Sequence, residues 1–284
     1  MEGRMTRIAL AAWAVLILLF LFVPLLLIFL YAFNKSNIES WPIPGFTLKW
    51  FTSTWNDAEV RTSLRLSIQA GLTATALALV LGSCAAFAIH RTKFFGKDAV
   101  SFLFVLPLAL PGIITGIALN DFFRFNGISL SIWTIVIGHT TFCIVVVYNN
   151  VLARLRRTQG SLVEAAMDLG ANGFQVFRDI TLPLISTAVV AGAMLAFALS
   201  FDEVIVTVFT GGAQNTLPLW IFGQMRLGQR LPEVNVVVSF VVLVTIIPVV
   251  IAARLTGGGG SRLPTQWGGR PSPPHAVGRS APGA

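Results

Sequence analysis

Asp202 and Glu203 stand side by side in an otherwise apolar run, Leu184–Phe209. Carboxylates in such a run are costly and face a partner or a polar pathway. At 1.5 Å per helical residue Asp202 is ~27 Å from Leu184, nearer the far boundary of a bilayer than its midplane. Two arrangements fit. The acids either end a helix at the interface, paired with Arg226 or Arg230, or they line a mouth that attracts cations. Asp121 and Glu233, at other span ends, would add to that field. The second arrangement favours an elongated cationic solute over a neutral sugar or an anion.

A second constellation runs from Gly160 to Pro183. Ser161 followed by Glu164 fits a capping box. Leu162, Ala165, Ala166 and Leu169 form one short apolar patch, while Glu164 and Asp168 share another face. Gly170 and the pair Asn172-Gly173 stop or turn the helix, and Pro183 suits the first turn of the next one. This spells a short amphipathic helix, either a connector on the membrane or a docking surface for a soluble partner.

The remaining polar residues are less specific. Pro107, Pro111 and Gly112 interrupt a third apolar run and imply a kink, which suits gating beside a path. Gly112 and Gly116 also fit close helix packing. Arg124 is placed to pair with Asp121. Tyr148, with Asn149 and Asn150, approaches the opposite boundary, where it lines an exit or bonds between helices. His139 reads as a hydrogen-bonded structural histidine rather than a proton relay, and His90 and Arg91 as interface charges. Cys84 and Cys143 lie in apolar runs and read as buried thiols, with no disulfide framework and no metal spacing. Gly96-Lys97 lacks the upstream glycine and the following hydroxyl of a phosphate loop, so this chain is not expected to hydrolyse ATP.

These residues need a membrane to position them. Of 284 residues, 55% are hydrophobic and 11% charged, against about 25% charged in soluble domains. That excludes a disordered chain and a basic nucleic-acid binder. Apolar stretches of spanning length lie at Ile8–Phe33, Ser67–Ile89, Ala99–Asn120, Ser129–Ala153, Leu184–Phe209 and Val234–Ala253. The first follows Arg4 and Arg7 but is too long for a signal peptide and lacks a small-residue cleavage site, so it reads as a retained anchor. Six spans put both termini on one side. With the N-terminus inside, 13 of the 20 Lys and Arg fall inside, including Arg91/Lys93/Lys97 and Arg154/Arg156/Arg157 directly beside spans. The basic excess of +8 is therefore a topology signal, with a cytoplasmic N-terminus. The expectation is an all-α polytopic membrane protein. Residues 1–63 form the first span and an outside loop, 64–255 the core with an inside loop at 154–183, and 256–284 a disordered Gly/Pro tail.

On the inside loop the sequence resembles the permease subunits of binding-protein-dependent ABC importers of type I. Their signature is Glu-Ala-Ala, three residues, Gly, nine residues, then Ile-x-Leu-Pro. Here stand Glu164-Ala165-Ala166, Gly170 and Ile180-Thr181-Leu182-Pro183, with both gaps kept. The resemblance covers about Leu64–Leu255 and implies that the loop docks on a separate ATPase subunit. On that implication Ala165, Ala166 and Gly170 allow close packing, and Glu164 holds the loop. The chain would bind no cofactor; ATP and magnesium would be used by the partner. Further partners implied are a second homologous permease, a second ATPase copy, an extracytoplasmic solute-binding protein and the bilayer of a bacterial inner or plasma membrane.

The stretches Ser200-Phe201-Asp202-Glu203-Val204, Thr210-Gly211-Gly212, Leu217-Pro218-Leu219 and Pro232-Glu233-Val234-Asn235 resemble the polyamine branch, the spermidine/putrescine permeases. That makes a polyamine the expected cargo and Asp202, Glu203, Asp121 and Tyr148 the expected path. Permeases for ferric iron or other amines share parts of the pattern. A secondary transporter would need paired half-helices with an ion site near the midplane, and would leave the inside signature unexplained. A non-transport membrane subunit would need neither the docking segment nor the kinked span.

Overall fold

Proline and small residues account for most of the architecture in this computed structural model, which describes residues 3–92, 95–158 and 160–257. The helices are α1 (Arg4–Tyr31), α2 (Lys49–Asn56), α3 (Ala58–Arg91), α4 (Lys97–Ala109), α5 (Gly112–Phe125), α6 (Ile132–Arg157), α7 (Gly160–Asp168), α8 (Gly173–Gln175), α9 (Leu182–Phe201), α10 (Ile205–Thr210), α11 (Leu217–Leu227) and α12 (Leu231–Gly257). A π-helical turn, Val176–Thr181, joins α8 to α9. Four stretches are long and apolar enough to cross a membrane in one piece: α1, α3, α6 and Gly173–Phe201. The third expected span is a broken pair, α4 and α5, and the last falls on α12. Among the described residues the only β pairing is an isolated bridge between Asn34 and Phe46.

Residues 1–237 form one compact unit and the rest of α12 belongs to a second. In the first unit, α3, α6 and α9 pack against one another. Ala70, Ala74, Ala78, Gly82 and Ala86 recur at four-residue spacing along α3 and are buried, which lets α6 come close. Val147, Tyr148, Val151 and Leu155 of α6 and Ile185 and Ala196 of α9 complete that core. α1 buries none of its residues in this chain, as suits a lipid-facing anchor.

Several expectations change. Pro111 has no amide to donate and forces Leu110 into an extended conformation, so the expected kink is a 100° break between α4 and α5. The fifth span is interrupted too: α9 stops at Phe201 and α10 starts at Ile205. Asp202 and Glu203 lie in that break, directly after the stretch Gly173–Phe201 that is itself long enough to cross a membrane. α7 already includes Gly160, so Ser161 is inside the helix and is not its cap. Pro183 stands in the first turn of α9, as expected, and the helical stretch runs on without a gap from Gly173. Its ring clashes with the carbonyl four residues back, which accounts for the π turn directly before it. Cys143 is buried, but Cys84 is exposed on α3. The tail at 258–284 and Lys93 lie outside the described residues.

Candidate functional site

The break at Asp202–Val204 is the first candidate region, and six hydrogen bonds define it. His139 of α6 sits between its two sides, with Nδ1 2.8 Å from Ser200 Oγ and Nε2 2.9 Å from Thr207 Oγ1. Thr207 Oγ1 donates to the Glu203 carbonyl at 2.8 Å. The Glu203 carboxylate accepts the Val206 amide at 2.9 Å and so caps α10. Thr134 Oγ1 donates to the Thr210 carbonyl at 2.7 Å. Asn120 Nδ2 of α5 donates to the Phe209 carbonyl. Two glycines let these helices meet. A Cβ on Gly116 would lie 2.6 Å from the Phe209 ring, and one on Gly138 2.9 Å from Val206 Cγ1.

These contacts set the depth of the break. Thr134 is in the first turn of α6 and meets the last residue of α10, so α10 continues outward beside the start of α6. His139 is seven residues into α6, ~10 Å along its axis. The break thus lies about that far along α6 from its N-terminal end. Gly112, the first residue of α5, neighbours Ile205, the first of α10, so the two interrupted spans break side by side. Half-helix ends at such a depth are ready-made ion sites, the carbonyl ends favouring cations. Asp202 is exposed at the carbonyl end of α9 and has no ion-pair partner among the described residues. An acid there repels the helix dipole unless a cation joins it.

The other acids are placed differently. Arg230, whose backbone is left-handed at φ 54°, ion-pairs with Asp57, Glu59 and Glu233. Ser53 donates to Glu233 at 2.6 Å. Glu233 is thereby buried and tied into this cluster, away from Asp202 and Glu203 in bonding, while one guanidinium serves three carboxylates. Neither Arg226 nor Arg230 pairs with Asp202 or Glu203. Burial alone would raise the Asp57 carboxyl, but the bond from Arg230 and the Glu59 amide outweigh it and hold its pKa below the usual value. Burial likewise works against the Arg230 charge, and its bonds to Asp57 and Glu233 more than offset this. Asp121 is exposed in α5 and is not ion-paired with Arg124 among the described residues. Tyr148 is 1% exposed, stacks on Phe104 and donates to Ser101 Oγ at 3.1 Å. It thereby binds α6 to α4, the second of the two roles expected for it.

The second candidate region is the elbow from α7 to the π turn. α7 buries none of its residues. Leu162, Met167, Leu169 and Phe174 are all exposed, Leu169 at 89%. Gly170 has φ +88°, and the Ala171 and Gly170 amides donate back to the Ala166 and Met167 carbonyls, which makes a Schellman cap. A Cβ at Gly170 would meet nothing within 4 Å, so within this chain the glycine serves backbone conformation. Asn172 and Gln175 then form the capping box that starts the next helix. Glu164 lines a cavity of about 240 Å³ together with His90 and Arg91 of α3, Thr158 and Thr181. The structure therefore groups Ala165, Ala166 and Gly170 on one elbow with Glu164 at its inner side. Asp202 and Glu203 lie together in another region. His139, Ser200 and Thr207 carry little sequence signal, since polar residues in apolar helices are common; only their shared position across a break exposes them.

Residues 78–257 match the family described as "Binding-protein-dependent transport system inner membrane component". The chain is 34% identical over 257 residues to the spermidine/putrescine transport system permease protein PotC of Escherichia coli strain K12, covering 90% of this chain and 95% of that one. It is 34% identical over 243 residues to the putrescine transport system permease protein PotI of the same strain, covering 81% and 85%. In structure it is similar to a bacterial ABC transporter involved in the import of the acidic polysaccharide alginate. That match has a TM-score of 0.64 at 18% identity and covers 92% of this chain and 99% of the other. The MetNI methionine ABC transporter in an inward-facing conformation matches with a TM-score of 0.57 at 17% identity, over 75% and 99%. The second pair establishes the fold and the first the relationship. With its apolar helices, its broken α4–α5 pair and its exposed elbow, the chain belongs to the family of binding-protein-dependent transport system inner membrane components, the transmembrane subunits of ABC importers whose ATPase is a separate subunit.

Proposed function

We propose that this chain forms the translocation path for a polyamine such as spermidine or putrescine in an ATP-driven importer. The observation that carries the cargo reading is Asp202: an exposed acid at the carbonyl end of α9, at the end of an apolar span, electrostatically incomplete without a cation. Identity of 34% across nearly the full length of PotC supports the same cargo. A linear polycation with amines a few carbons apart suits a path with acids at separate depths, Asp202 in the break and Asp121 on α5. Glu203 contributes its field while its carboxylate also caps α10.

In this reading two ATPase subunits grip the inner elbows of this chain and of a second homologous permease. A solute-binding protein delivers cargo on the outer side. Both termini are cytoplasmic, which the basic clusters at Arg91 and Arg154–Arg157 support. The core over 64–255 carries transport. Glu164, Ala165, Ala166 and Gly170 form the coupling surface. Exposed Leu162, Met167 and Leu169 supply apolar area for the partner. ATP binding closes the ATPases and tilts the elbow, and α9 conveys that movement to the break.

The test is uptake of labelled spermidine by the full assembly reconstituted in vesicles, with putrescine, amino acids, a betaine-like amine and ferric iron as competitors. Inhibition by putrescine alone is expected. Competition by ferric iron or amino acids, with none by putrescine, would overturn the cargo assignment.

A further inference from the structure

We infer that His139 is a positioning residue that pins the break between α9 and α10 and thereby holds Asp202 where cargo meets it. The second half of this statement rests on the cargo reading above; the first does not. Ser200 precedes the acid pair and Thr207 follows it, and the two ring nitrogens of His139 bind one each, at 2.8 and 2.9 Å. The ring is 1% exposed.

Counting protons gives the pin a direction. The Thr207 hydroxyl has one proton, and it goes to the Glu203 carbonyl at 2.8 Å. Thr207 Oγ1 therefore accepts from His139, which puts the ring proton on Nε2. Nδ1 is then bare and accepts the Ser200 hydroxyl. A single directed chain runs from Ser200 through His139 and Thr207 to the Glu203 carbonyl and crosses the break. Between Ser200 and Thr207 there is no Gly or Pro, so an unbroken helix is the competing local state. The chain of bonds, with the Glu203 cap, selects the broken one.

The surroundings show what the pin joins. α10 is tied to α5 and α6 by Asn120, Thr134 and the contacts at Gly116 and Gly138. α9 also packs on α6, and it continues the helical stretch that starts at Gly173 beside the elbow. His139 to Ser200 is thus a side-chain link between the elbow-driven helix and the outer half, next to Asp202.

The test uses the complete importer in lipid discs and vesicles. His139→Leu is expected to raise the cargo KM about 10-fold and Ser200→Ala about 3- to 10-fold, with turnover per assembled complex within about twofold of wild type. Ser200→Thr, which keeps the hydroxyl, is expected to restore a near-wild-type KM. An unchanged KM, with turnover falling only as assembly falls, would make His139 a core residue and overturn the proposal. A second measurement needs no cargo. In 15N-histidine spectra, the signals lost in His139→Gln identify the ring. They are expected to show a protonated Nε2 and a bare Nδ1, with Nε2 moved by Thr207→Val and Nδ1 by Ser200→Ala. A ring protonated on Nδ1, or signals unmoved by both variants, would overturn the bond chain. A wild-type importer that takes up no polyamine would sink the cargo reading alone and leave these spectra to decide on the pin.

Discussion

α7 and α10 are both short helices beside an interruption in longer ones, and they are held in opposite ways. α10 has six residues, and side chains from α5, α6 and the α9 junction bind its backbone and its hydroxyls. α7 has nine residues, buries none, and is held by its own backbone cap at Gly170. One helix is satisfied inside the chain and the other leaves apolar side chains at its surface. Polar groups in a bilayer must find partners within the protein, whereas an element in the cytoplasm can wait for a second chain. The inner end is therefore built to be completed by a partner and the outer end to hold a geometry.

The largest expected effect tests the backbone origin of the elbow. Gly170→Val forces a β-branched residue to φ +88°, at a cost of about 1–2 kcal/mol or more. Uptake and co-purification of the ATPase should both fall at least 10-fold. Gly170→Asn, which tolerates the left-handed region, should retain part of both. Equal damage from the two substitutions would mean that close packing against the partner, and not conformation, demands the glycine.

Overpacking the opposite region comes next. Gly138→Val adds carbon where even a Cβ lies 2.9 Å from Val206 Cγ1 and should lower thermal stability by roughly 1–3 kcal/mol. Ala165→Val on the exposed elbow should leave stability unchanged and weaken only ATPase binding. If both variants melt alike, the contrast between a satisfied and an open helix is lost.

A smaller, more selective effect is expected at the acids. Asp202→Asn should raise the KM for a divalent or trivalent amine about 10-fold without changing stability, read from uptake by vesicles. Glu203→Gln should do less to KM and cost roughly 0.5–1 kcal/mol of stability, because its carboxylate caps α10. Full uptake by the double amide would remove the cation site.

The smallest effect concerns Arg230. The folded-state pKa of Asp57 is held below its ordinary 3.8. The stability from that pair is therefore complete above about pH 4 and is lost as pH falls through the lower folded value. Arg230→Gln should flatten this acid-side loss and change neutral stability by less than about 1 kcal/mol, since the guanidinium is 30% exposed. Acid unfolding curves that coincide for the two proteins would show the cluster to be energetically idle.

How much could be read beforehand follows from the range of the forces involved. The elbow was legible because its demands are local: Gly170 at the cap, the turn at Asn172-Gly173 and apolar residues on one face of a short helix; the capping box expected at Ser161 stands instead at Asn172 and Gln175. The break at Pro111 was legible in place, though not in its angle. The break at Asp202–Val204 was not legible, because no residue there breaks helices. Pairing Asp202 or Glu203 with Arg230 looked reasonable in sequence, yet Arg230 is taken by Asp57 and Glu59, far away in the chain. Tyr148 looked like a path residue because its depth was predictable and its facing was not.

The sequence alone determined where the apolar stretches lie and the motif that marks the family, since hydropathy and residue spacing act over a few residues. The tertiary structure decided where the fifth span breaks, which acids remain free and what His139 does. Each of these depends on hydrogen bonds and ion pairs between segments 60 or more residues apart, such as His139 with Ser200 and Arg230 with Asp57. A bilayer leaves a polar group no other partner, so such distant pairings override local helix preference.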